Sequence, residues 1–248
     1  MRTSGYHTQH QTVYSQNNAI HAEGNATGTQ TTTMDAPTDY IPYDGIPAAV
    51  IKPIFKAACR LRFSNPTVQD LVRSIKTTLD KQIVSAILEG ARRLLPPDNS
   101  PEGLASRKAE MAMKATQALE AETAFILQMQ RFQPRSLTEE EQNENIRREI
   151  EAGSVNIVKS TPDVLFLEAT LLCGFEIKWI EYKNMFGFKS NPFVHQKIKN
   201  QLKRYLETFG NGMVVYRLGY EVDHLTIEGL KVMRETDVLQ WMSLRQIL

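Results

Sequence analysis

Apolar positions change their period once along this chain, and that change divides it. From Ile46 onward, Ala48, Val50, Ile51, Ile54, Phe55 and Ala58 recur at the spacing of one helical face. Asn65-Pro66-Thr67 marks the start of a second helix carrying Val68, Leu71, Val72 and Ile75. A third is predicted from Asp80 to Leu95, with Ile83, Val84, Ile87, Leu88 and Ala91 inward and Pro96-Pro97 as its stop. A long helix is predicted from Pro101 to Phe132. A charged surface helix reaching about Ile150 follows it, with Ser136 as N-cap and Glu139 three residues on as a capping box.

After Gly153 the period becomes that of strands. Val164 to Leu167 and Phe175 to Tyr182 read as two strands with Cys173-Gly174 near their turn. Phe193 to Phe209 reads as a helix ended by Gly210-Asn211-Gly212, and Met213 to Tyr216 as a buried strand. Leu230 to Met233 and Val238 to Trp241 are expected to add edge strands. Strand, strand, helix, strand behind a long helix predicts an α/β fold with a mixed sheet. Residues 1–42, rich in Thr, Gln, Asn, His and Gly and nearly without aliphatics, are expected to be a disordered tail. Residues 43–99 then form a helical region and 100–248 the α/β domain.

Composition narrows the chemistry. An apolar fraction of 42% is that of an ordinary globular protein, and a net charge of +1 gives no global reason to expect nucleic acid. Two cysteines, Cys59 and Cys173, make neither a disulfide framework nor a zinc site, so any bound metal is expected to be a hard ion on oxygen ligands. No run reaches the roughly eighteen apolar residues of a membrane span. The N-terminal residues lack a secretory apolar core, so the expectation is nucleus and cytoplasm, with no membrane partner.

One constellation stands out. In the second strand, Phe175, Ile177, Trp179, Glu181 and Lys183 share one phase, so an apolar row is expected to run into a carboxylate and an ammonium at the strand's end. Asp163 heads the preceding strand, eighteen residues before Glu181, where a hairpin would bring the two acids together. Two carboxylates meeting there call for a cation such as Mg²⁺, which can stabilise charge on a phosphate and activate water, while Lys183 orients or deprotonates that water. A second acid-x-lysine copy, Glu176-Ile177-Lys178, lies in the opposite phase. On the next helix Gln201 and Tyr205 share a face, and the region from Lys183 to Arg204 holds Lys189, Lys197, Lys199 and Lys203 together with Phe186, Phe188, Phe193 and His195. Cations among aromatics suit a phosphate backbone and unstacked bases; a solvated helix face is the plainer alternative for each lysine. Likewise, the second and third helices could form a helix-turn-helix carrying Lys81, Arg92 and Arg93, or a bundle with solvated charges.

Thr161-Pro162-Asp163, Trp179 to Lys183, Phe186-Gly187, Gln201 to Tyr205 and Phe209 to Gly212 together resemble the codanin-interacting nuclease family, whose members carry a Thr-Pro-Asp signature in a PD-(D/E)xK domain. The match is densest over Ser160 to Asp223, roughly a quarter of the chain, and looser over the helical region from Pro47 to Leu95. The resemblance implies a restriction-endonuclease-like core with Asp163, Glu181 and Lys183 catalytic. Asp163 and Glu181 would be metal ligands for Mg²⁺ or Mn²⁺, with a glutamate from the first core helix, Glu122 or its rival Glu120. Gln201 and Tyr205, with Lys197 and Lys203, would face nucleic acid, most naturally DNA, and a codanin-like nuclear protein would be a partner. The expectation is therefore a metal-dependent nuclease. The alternatives are a nuclease-shaped protein serving as a binding partner or scaffold, and a helix-turn-helix DNA-binding protein.

Overall fold

A computed structural model describes residues 43–96, 99–155, 157–190 and 192–245, the last starting with three residues given as backbone only. The predicted disordered tail, 1–42, and Pro97 of the predicted helix stop lie outside the described residues.

The helical half begins with α1 (Ala48–Leu61), a short 3₁₀ turn (Arg62–Ser64), α2 (Val68–Ile75) and α3 (Lys81–Arg92). Thr67 caps α2 in a reciprocal capping box with Asp70, and Asp80 caps α3 through the Gln82 N–H, which is why both helices start where they do. The periodic positions close a core of Ile51, Ile54, Leu71, Val84, Ile87 and Leu88. Phe186 and Phe188, from well beyond these helices in sequence, are buried in the same core.

The helix α4 (Pro101–Phe132) follows, then strand β1 (Ser136–Thr138), helix α5 (Glu139–Glu151) and strands β2 (Val164–Leu172) and β3 (Phe175–Lys183). Helix α6 (Pro192–Phe209), strands β4 (Gly212–Tyr216) and β5 (Leu230–Arg234) and helix α7 (Glu235–Arg245) complete it. The fold is mixed α/β. Its five-stranded sheet has the order β1-β2-β3-β4-β5, antiparallel from β1 to β3 and parallel from β3 to β5. Helix α6 makes the crossover between the parallel neighbours β3 and β4. On one sheet face Phe166, Ile180, Tyr182, Met213 and Val215 meet Phe125 and Met129 of α4 and Trp241 of α7. On the other, Trp179, Val214 and Tyr216 meet Ile198, Leu202 and Tyr205 of α6.

Three expectations are corrected. Val238 to Trp241 is helical, within α7: Asp237, Val238, Trp241 and Met242 are the buried positions, a helical period that a four-residue window reads as a strand. The cap of α5 is Thr138 with Glu141, because the backbone of Ser136–Thr138 pairs with Val164–Phe166 as β1. The sequence Ser-x-x-Glu overlaps Thr-x-x-Glu there, and the ladder decides between them. Finally, β3 does not keep one phase. Ile177 is buried with Ile180 and Tyr182, whereas Trp179 belongs to the α6 side. The pairing with β2 shifts register between Leu165 and Thr170, which breaks the alternation.

At the hairpin between β2 and β3, Cys173 and Gly174 both have positive φ, 51° and 78°, the geometry of a two-residue turn matched to strand twist. No helix among the described residues is long and apolar enough to cross a membrane.

Candidate metal centre

The register sets the site. Val164 of β2 lies opposite Ile180 of β3, so Asp163, one residue earlier, stands beside the end of β3. There Asp163 Oδ2 accepts the backbone N–H of Tyr182 at 2.6 Å. The side chains on either side of Tyr182 are Glu181 and Lys183. Trp179, the anchor of this strand, is held by its indole N–H, which donates to the Gly210 carbonyl at 2.8 Å. Gly212 lies so close to that ring that a Cβ would meet it at 2.0 Å, so only glycine admits the indole here.

All three residues of Thr161-Pro162-Asp163 are tied, each to a different element. The Tyr205 hydroxyl of α6 donates to the Thr161 carbonyl at 3.0 Å. Gln142 of α5, itself buried, donates to the Pro162 carbonyl at 2.8 Å and to the Leu137 carbonyl at 3.2 Å. The third tie is the Tyr182 N–H on Asp163. Gln201 spends its two amide N–H groups on the Tyr205 oxygen at 3.0 Å and on Glu181 Oε1 at 2.9 Å. Lys183 Nζ donates to the same Glu181 oxygen.

Glu181 is 2% exposed, and its other oxygen, Oε2, is buried with no hydrogen-bond partner. An ionised carboxylate left half-satisfied in the interior is costly. Burial raises the Glu181 pKa, against the pull of Lys183. Burial first, then the charge of Glu181, pushes Asp163 up to about 8. Glu122 is raised as well, chiefly by burial.

Carboxylate oxygens of Glu122 on α4, Glu139 on α5 and Asp163 all lie within 4.8 Å of one another, and this acidic cluster could hold a metal ion. Of the two rival glutamates on α4, it is Glu122 that joins the cluster; Glu120 is exposed. Glu139 has no place in the sequence-based site. Its signal was hidden: assigning it to the capping box occupies a side chain that is in fact free of that duty and accepts a bond from Thr161 Oγ1 at 3.3 Å.

Glu139, Asp163 and Glu181 line a cleft of about 520 Å³, from which Glu122 is absent and whose cations are Lys159 and Arg204. Gln201 and Tyr205 line it too, but their polar groups are engaged in holding Glu181 and the Thr161 turn. Lys197 and Lys203 are exposed on α6 and are not among the cleft residues. Arg204 was within reach of sequence reasoning: 201, 204 and 205 share a helical face and 203 does not.

Apart from the cleft, a space of about 10 Å³, room for roughly one water, lies against Gly187, His195, Tyr216 and His224. His224 is buried with Nε2 unpartnered, and burial lowers its pKa to about 4.

Comparison with curated proteins and with solved structures returned no match. A family model described as "Protein of unknown function TPD sequence-motif" matches residues 113–236, half of the chain. That span runs from the middle of α4 to the start of α7, and it takes in Glu122, Glu139, Asp163, Glu181, Lys183, Gln201 and Tyr205 while leaving out α1 to α3. The chain belongs to the TPD sequence-motif family.

Proposed function

We propose that this protein is a metal-dependent nuclease of the PD-(D/E)xK type, with a restriction-endonuclease-like core, hydrolysing phosphodiester bonds in DNA. The observation that carries the reading is Glu181. It is a buried carboxylate with one oxygen shared by Lys183 and Gln201 and the other without a partner, at a cleft that also holds Asp163. An orphaned oxygen in a crowd of acids fits a hard divalent ion.

Asp163 would hold Mg²⁺ or Mn²⁺ together with Glu122 and Glu139, whose oxygens lie within 4.8 Å of one another and of its own, and Glu181, outside that group, would add its unpartnered oxygen. The bound ion would neutralise charge on a phosphate oxygen and lower the pKa of a water. The chain's own residues supply the rest. Lys183 Nζ lies next to Glu181, where it can meet the negative charge that grows on the phosphate. Among the described residues that line the cleft, Lys159 and Arg204 are the cations, suited to drawing a phosphate towards the acids. Gln201 and Tyr205 fix Glu181 and the Thr161 turn relative to each other, so that the acids do not need to reorganise.

The test is cleavage of labelled single-stranded, duplex and branched DNA with Mg²⁺, Mn²⁺ or EDTA, beside the Asp163→Asn and Lys183→Ala proteins. Metal-dependent cutting lost in both variants is the expected result. A folded protein that cuts none of these substrates would refute the reading.

One observation favours a second reading, a binding protein built on the same core. Helix α4 leaves Leu104, Met111, Met113 and Leu119 exposed, the last at 63% and Met111 at 72%. Apolar surface of that kind suits a protein partner, and the sequence resemblance suggests a codanin-like nuclear protein. An inactive but folded protein that retains such a partner would favour this reading.

A further inference from the structure

The near-neutral whole chain conceals an uneven distribution. Between Ile46 and Pro96 there are nine Lys and Arg against three Asp and Glu, a balance of +6, so the remainder of this +1 chain is at −5. Helix α1 holds the densest part and contains no acid. Its Lys52, Lys56 and Arg60 are exposed and follow one another at intervals of four residues, on the side away from buried Ile51, Ile54, Ala57 and Ala58. At 1.5 Å per residue they make a row about 12 Å long. Among the described residues, none of the three takes part in an ion pair or a side-chain hydrogen bond. Just beyond the row, Phe63 is 74% exposed, and the Arg62 guanidinium sits 4.5 Å from its ring centroid.

Helix α3 spends its charge differently. On α3, Arg92 donates to Asn65 Oδ1 at 3.1 Å and to the Pro66 carbonyl at 2.6 Å. Arg93 pairs with Glu89 at 2.9 Å, and Glu89 also meets Lys114 of α4 at 3.1 Å. Of Lys81, Arg92 and Arg93 on α3, only Lys81 is left without such a contact. On α1 three such cations stand in one row, against Lys81 alone on α3.

We propose that this α1 face, with Phe63 at its end, binds the backbone of a single-stranded polynucleotide, separately from the acidic cleft. Unpaired lysines and an arginine one turn apart can each displace a counterion from a phosphate. An exposed ring beside a guanidinium offers an unpaired base a stacking platform, which a base-paired duplex or an acidic polypeptide would not use. The proposal rests on the nuclease reading only for the class of ligand, and its test needs no cleavage.

The test is fluorescence anisotropy of a labelled oligothymidylate titrated with the full chain in EDTA at several salt concentrations. Three variants accompany it: Lys52→Ala/Lys56→Ala/Arg60→Ala, Phe63→Ala, and a charge-matched control, Arg131→Ala/Arg147→Ala/Arg148→Ala. The α1 variant is expected to bind more weakly and to flatten the slope of log K against log salt by about 2, three single-strand phosphate contacts at roughly 0.7 each. Phe63→Ala is expected to lose about tenfold in affinity with the slope kept. The control should bind as the parent does, and unchanged thermal melts would show that all are folded. Unchanged binding and slope in the α1 variant, or an equal loss in the control, would overturn the proposal. So would displacement of the oligonucleotide by polyglutamate as effective as by a polynucleotide of equal charge. Oligonucleotide binding that persists in a protein with no metal-dependent cleavage would leave the strip standing and remove the nuclease reading alone.

Discussion

The carboxylate of Asp163 accepts the backbone N–H of Tyr182 at 2.6 Å, so the head of β2 is fastened to the end of β3 between Glu181 and Lys183. That single bond fixes Asp163 relative to both Glu181 and Lys183. It separates the charge of Asp163 from its structural duty, because an amide oxygen can accept the same N–H. Asp163→Asn should therefore keep the fold, with a melting temperature close to the parent's, and lose metal-dependent cleavage. Asp163→Ala should lose both, because the Tyr182 N–H is left without a partner. Equal melting temperatures for the two variants would show that this bond contributes nothing to stability.

Lys183→Ala is expected to reduce cleavage by about 10²–10³-fold, the range for removing one group that stabilises developing charge. Glu176→Ala should leave it nearly untouched, since Glu176 is exposed near the hairpin end of β3 and its companion Lys178 donates to the Leu167 carbonyl at 2.6 Å. Single-turnover rates on the preferred substrate decide the matter; a large loss in the Glu176 variant would contradict this assignment of the strand's two acid-x-lysine pairs.

Metal-free stability should fall as pH rises. The Asp163 pKa lies at about 8 in the fold against an ordinary 3.8, so between those values the folded state holds a proton that the unfolded chain has released. Stability from this group is fully present below about pH 4 and is lost on passing upward through pH 8, and the raised pKa of Glu181 acts in the same direction. Scanning fluorimetry in EDTA should show a melting temperature a few degrees lower at pH 8 than at pH 5, a difference that shrinks in Asp163→Asn. Added Mg²⁺ should raise the melting temperature more at pH 8, where the ligands are ionised. A larger rise at pH 5 would contradict the assignment.

Glu139→Gln should weaken Mn²⁺ binding by about tenfold, within the range seen when groups around a metal are altered, whereas Glu120→Gln should not change it. Isothermal titration compares the two directly. Equal affinities would remove Glu139 from the site.

Gly212→Ala should destabilise the protein by about 1–3 kcal/mol in urea unfolding, the usual cost of overpacking, because the added Cβ would fall on the Trp179 ring. A neutral result would mean that the indole has room to move, which its bond to the Gly210 carbonyl opposes.

Much of this architecture was legible in the chain. Helices α1 to α4 follow from periodicity, and Thr67 and Asp80 cap the helices that their sequence positions predict. The errors came where two local patterns competed. Val238 to Trp241 satisfies a strand over four residues and a helix over the longer run that includes Asp237 and Met242. At Ser136 and Thr138 two capping patterns overlap, and only the pairing of β1 with β2 excludes one of them. The phase of β3 fails for the same reason: Ile177 and Trp179 are two residues apart, yet a register shift against β2 sends them to opposite cores.

By itself the sequence determined on which elements the side chains of the proposed site lie: Asp163 at a strand head, Glu181 and Lys183 two residues apart, Gln201 and Tyr205 one helical turn apart. Those are local facts, set by the periods of strand and helix. Only the tertiary structure decided which other acids join them. Glu122, Glu139 and Asp163 come from the interior of α4, the start of α5 and the head of β2, and they converge within 4.8 Å because the sheet register and the helix packing bring those three positions together. Nor could the sequence assign the duties of Gln142, Tyr205 and the Tyr182 N–H, one on each residue of Thr161-Pro162-Asp163. Long-range hydrogen bonds leave no periodic trace, since each joins positions whose separation is fixed by the fold and not by the repeat of any one element.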